Sequence, residues 1–130
     1  MNSISTAGLL LALGFASFAC AEESSIVGRY TGTFDAPGTQ RQNVPVGLTL
    51  VIDKVVDRKI EATGQIHPLG AAQCVGEFPM AGVVNGKDLR LRNVKPFGRT
   101  NECNLVLRLT VDGSRLVGTT GGGRPVQLSR

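Results

Sequence analysis

The residues able to do chemistry are few, and they do not gather into a catalytic pattern. His67, in "QIHPLG", is the sole histidine. No Ser, Cys or carboxylate stands near it at a spacing that would join a nucleophile to a base and its orienting group, so it reads as a loop histidine. Glu77 and Glu102 are isolated carboxylates, and Asp57 and Asp112 fall in turn sequences. An enzyme would need a pocket gathering His67 with Glu77 or Glu102. "GTTGGGRP", from Gly118 to Pro125, lacks the Gly-Lys-Ser/Thr ending of a phosphate loop, and no helical segment follows to supply a dipole. It reads as a hairpin loop.

The three cysteines point to a compartment rather than to a reaction. "AGLLLALGFASFA", Ala7–Ala19, is an uncharged apolar run with the length of a signal-peptide h-region, too short to span a bilayer. Small residues follow at Ala19-Cys20-Ala21, and "EESS" begins a polar segment, although the n-region "MNSIST" has no Lys or Arg. Residues 1–21 are therefore expected to be a signal peptide and 22–130 a single mature domain. Cys20 is also a candidate lipidation site, which would anchor the chain in the cell envelope instead of leaving it periplasmic or secreted. Either processing leaves Cys74 and Cys103, which in an exported chain are expected to form a disulfide. Two isolated thiols with no nearby His do not make a metal site, and no cofactor is expected.

Charge supplies the one surface feature. Glu22–Gln65 holds six acids and five bases, whereas Ile66–Arg130 holds four acids and nine bases, seven of them arginine. Arg90 and Arg92 alternate with Leu89 and Leu91, and Arg108 and Arg115 alternate with leucines further on. On strands these four side chains face outward and form one wall, a candidate site for carboxylates, phosphates, an acidic protein or an anionic envelope component. Nucleic acid is not expected, because export separates the chain from it and no exposed aromatics are interleaved for stacking.

The elements that must position these residues are strands. Period-two alternation recurs in "GRYTGTF", "GLTLVI", "EFPMAG", "DLRLR" and "LVLRLTV", as in half-buried antiparallel strands. "VVDRKI", "VVNGKD" and "TVDGSR" interrupt it with hairpin signals. Eight strands are expected, near 26–35, 44–56, 59–67, 75–84, 87–93, 103–111, 114–120 and 124–129. A turn on Asn85-Gly86 would set Met80 opposite Leu91, and one on Asp112-Gly113 would set Leu109 opposite Leu116. A meander of short strands closes most simply as an up-and-down barrel; a two-sheet sandwich is the alternative. In either, Gly32, Gly64, Gly82 and Gly118 occupy inward positions that would leave space, while leucines could fill it.

Gly28-Arg29-Tyr30 opens the first strand and Arg130 follows the last. This resembles the calycin arrangement of lipocalins and avidins, in which a Gly-x-Trp of the first strand packs beneath a basic residue from the end of the barrel. Tyr30 stands here in place of Trp. The resemblance implies a barrel and does not imply a ligand. The chain is also similar in size and architecture to small disulfide-stapled bacterial barrels that act as inhibitors. The expected function is an exported, non-enzymatic binding or inhibitor-like module acting through its outer surface or rim loops. The alternatives are a carrier of a small apolar ligand in the barrel interior and, third, an enzyme.

Overall fold

The computed structural model describes residues 25–37, 43–68 and 74–130; the expected signal peptide and Cys20 lie outside them. Eight strands follow in order: β1 Gly28–Pro37, β2 Asn43–Val56, β3 Lys59–Pro68, β4 Gly76–Asn85, β5 Asp88–Asn93, β6 Val106–Asp112, β7 Arg115–Thr120 and β8 Pro125–Ser129. Each pairs antiparallel with the next, and β1 pairs with β8 through Thr31–Ser129, Gly32–Leu128 and Thr33–Gln127. The meander therefore closes as a barrel, not as a sandwich.

Alternation decides which side of each strand is wet. In β5, Leu89 and Leu91 are buried while Arg90 and Arg92 are exposed; in β6, Leu107 and Leu109 are buried while Val106 and Arg108 are exposed. The inward residues form one apolar core that fills the barrel, with Leu48, Leu50, Ile52, Leu107, Leu116 and Leu128 fully buried. One irregularity protects this pattern. The β2–β3 register shifts between Ile52 and Lys54, so Asp53 is an extra residue. The bulge returns Val55 to the core side opposite Ile60 and leaves Lys54 in solvent.

Two hairpins differ in register from the sequence expectation. Asn85 pairs with Asp88 and Asp112 with Arg115, so the turn residues are Gly86-Lys87 and Gly113-Ser114. Gly86 (φ 63°) and Gly113 (φ 60°) occupy the first central position, where a type II′ turn needs positive φ. Leu91 thus faces Gly82 instead of Met80, and Leu116 faces Val111 instead of Leu109. The inward face is preserved because both partners moved by one residue.

The inward glycines do not leave empty space. A Cβ on Gly118 would collide with the Arg108 carbonyl oxygen, one on Gly82 with that of Arg90, and one on Gly32 with that of Gln127. Each faces the carbonyl just before its leucine partner, where the neighbouring strand's backbone closes over it. At Gly64 the Phe78 ring occupies the place, 2.6 Å from an added Cβ. Gly118→Ala should therefore destabilise the barrel by about 3 kcal/mol, the upper end of overpacking costs, since a backbone carbonyl cannot swing aside. Urea denaturation of the variant beside the wild type measures this.

The two ends are sealed differently. At the short-turn end Ile26 is buried, and the Tyr30 hydroxyl donates to the Ile26 carbonyl at 2.9 Å. Arg130 donates to the same hydroxyl from Nε (3.1 Å) and Nη2 (2.8 Å), and to the Ser25 carbonyl. Its guanidinium lies 5.1 Å from the Tyr30 ring centroid and beside Gly28. At the other end the Cys74 and Cys103 sulfurs are at bonding distance, with Cα atoms 5.6 Å apart. Here β6 begins at Val106 rather than near residue 103, and Cys103 pairs with Phe97 in an isolated bridge. Phe97 stacks on Phe78 with centroids 3.8 Å apart. Buried Asn93 organises this loop, donating to the Lys95 carbonyl at 2.7 Å and accepting from the Leu105 amide at 2.9 Å.

Candidate functional site

The outer face of β4, β5 and β6 carries the candidate arginines. Strand register puts Arg90 directly opposite Arg108, and Arg92 opposite Val106. On the other side of β5, Arg90 faces Val83 and Arg92 faces Ala81. Continuing onto β3, Val83 faces Lys59 and Ala81 faces Glu61. Lys59, Val83, Arg90 and Arg108 thus stand in one row across four strands, and Glu61, Ala81, Arg92 and Val106 in the next.

The structure separates Arg115 from this group. It is registered with Asp112, four residues along β6 from Arg108, or about 13 Å away along the strand. There its Nη2 contacts Asp112 Oδ2 at 3.0 Å, the only ion pair among the described residues. The sequence expectation of one four-arginine wall is therefore corrected to a cluster of three. Cross-strand neighbours of like charge are destabilising, so Arg90 and Arg108 are not placed for folding stability. The nearest acidic neighbour along β5, Asp88, accepts instead from the Thr110 hydroxyl at 3.0 Å.

The valines beside these arginines were not singled out from the sequence, because Val83 and Val106 occupy outward positions of alternating strands and Val94 lies in the bend after β5. Val83 is 50% exposed, Val94 58% and Val106 39%. With Ala81 they floor two open depressions of about 570 and 590 Å³, which share Ala81, Arg92 and Val106. The first extends to Lys59, Glu61 and Arg90, the second to Val94 and Asn104. Together they make a trough along β5 with an apolar floor and guanidinium groups on its course. An apolar centre edged by arginine is the composition of a recognition surface.

The other sequence candidates do not converge. His67 is on the outer face of β3, with Nε2 3.2 Å from the Thr49 hydroxyl. Glu77 is registered with Gln65, and Glu102 lies in the loop before Cys103. Among the described residues no three His, Cys, Asp or Glu side chains are grouped to hold a metal ion. No helix among them is long and apolar enough to cross a membrane. No protein-family model, no curated protein and no solved structure matches the chain.

Proposed function

We propose that the chain is an exported, non-enzymatic binding module that engages an acidic protein through the outer face of β4–β6. The observation that carries this is Arg90 set against Arg108 beside an exposed valine floor. Surface built only for solubility would place a carboxylate in one of those positions and polar residues in place of Val83 and Val106. Guanidinium groups bind carboxylates in a bidentate fashion, and the apolar floor gives a partner area to bury. The barrel is then scaffold, and its packed inward face favours the outer surface over an interior ligand. Arg130 over Tyr30 supports the calycin-type architecture as the frame. Cys74, Cys103 and the apolar Ala7–Ala19 run support a periplasmic or secreted location, with lipid anchoring at Cys20 as the variant.

The test compares capture of proteins from periplasmic and extracellular fluid by the wild type, by Arg90→Gln/Arg92→Gln/Arg108→Gln and by Arg115→Gln. An acidic protein retained by the wild type and by Arg115→Gln, eluted by salt and lost with the triple variant, is expected. The triple variant should fold normally, within about 0.5 kcal/mol per substitution, since exposed side chains contribute little. Equal capture by all three proteins would overturn the reading.

A further inference from the structure

We infer, resting on the acidic-partner reading, that the trough takes an extended segment of that partner, laid along β5 with carboxylates on alternate residues. Arg90 and Arg92 stand on the same side of one strand, two residues apart, which is about 6.6–6.8 Å. An extended ligand lying over β5 has the same repeat. Its residues i and i+2 then reach Arg90 and Arg92 together. A helical ligand sets its same-face neighbours about 5–6 Å apart and winds them around its axis, so it does not keep this straight two-residue repeat.

The cross-strand positions sharpen the fit. Arg108, opposite Arg90, is about 5 Å from it between Cβ atoms, so two guanidinium groups converge on the first carboxylate. Arg92 has the short Ala81 on one side and Val106 on the other, which leaves room for the second. Two residues further on, the trough reaches exposed Val94 beside Asn104, so position i+4 of the ligand meets a valine side chain. The recognised pattern is acidic, any, acidic, any, apolar. Backbone strand addition does not contribute, because β5 is already paired on both edges, with β4 and β6. Recognition therefore rests on side chains and is salt-sensitive.

Three fluorescently labelled peptides of one composition, each with two glutamates and one valine in a threonine background, test this by anisotropy at low salt. One alternates the three residues, one makes them adjacent, and one sets the glutamates three apart. The alternating peptide should bind the mature domain at least tenfold more tightly than either other. Arg90→Gln/Arg92→Gln should abolish the preference and Arg115→Gln should retain it. Equal affinity for the three peptides, or a preference that survives Arg90→Gln/Arg92→Gln, overturns the inference. So does arginine-dependent binding to anionic phospholipid vesicles with no peptide binding. If spacing proves irrelevant while capture of an acidic protein still requires the three arginines, the extended-segment inference fails alone. If capture is also indifferent to them, the functional reading fails with it.

Discussion

Leu107→Ala should lower the stability of the barrel by about 2–5 kcal/mol without changing its circular dichroism. Leu107 is fully buried between Leu91 on β5 and Thr120 on β7. Truncation removes apolar atoms and leaves a void that closed strands cannot collapse to fill. The loss is a large share of the total available to a domain of this size. Thermal and urea unfolding measure it. A loss below about 1 kcal/mol would mean that the interior is loosely filled and would revive an interior ligand site.

Removing the disulfide should be comparably costly. Cys74 and Cys103 are 29 residues apart in sequence, and releasing a loop of that length costs about 3–4 kcal/mol in the chain-entropy model. The loss falls on one end of the barrel. The pair ties the loop carrying Phe97 to the start of β4, where Phe97 stacks on Phe78. Cys74→Ser/Cys103→Ser should therefore lower the midpoint of unfolding and raise hydrogen exchange at the Phe97 and Cys103 amides, which bond to each other's carbonyls. Unchanged exchange at these two amides would show that the loop is held by Asn93 and its stacking alone.

The alternation of apolar and polar residues carried the fold to the level of eight strands and a closed meander, because every strand has one wet and one dry side. It could not fix the hairpin registers. Leu109 and Val111 both face inward, so pairing Leu116 with either keeps the core intact, and only the turn geometry chooses. Glycine at the first central position makes that choice, and it leaves Asn85 and Asp112 as strand residues. The Asp53 bulge was likewise illegible, since a single extra residue between Ile52 and Val55 reads as a lapse in alternation.

The candidate site was half legible. Arg90, Arg92 and Arg108 follow from alternation alone. A turn on Asp112-Gly113 sets Arg115 opposite Thr110, two residues from Arg108, whereas the observed turn moves it to Asp112, at the far end of β6. The trough could not be foreseen, because it depends on three exposed valines and one alanine brought side by side from β4, β6 and the bend after β5. Alternation places outward residues in solvent, but it does not say which outward residues of neighbouring strands become neighbours.

The proposed working surface lies outside the barrel, on β4–β6. Amide chemical-shift mapping of residues 22–130, titrated with poly-glutamate at low salt, locates the binding face. Shifts should concentrate at Lys59–Glu61, Ala81–Val83, Arg90–Arg92 and Val106–Arg108, and vanish in Arg90→Gln/Arg92→Gln/Arg108→Gln. Shifts centred instead on Asp112–Arg115 or on the Tyr30–Arg130 end, or undiminished in the triple variant, would contradict it.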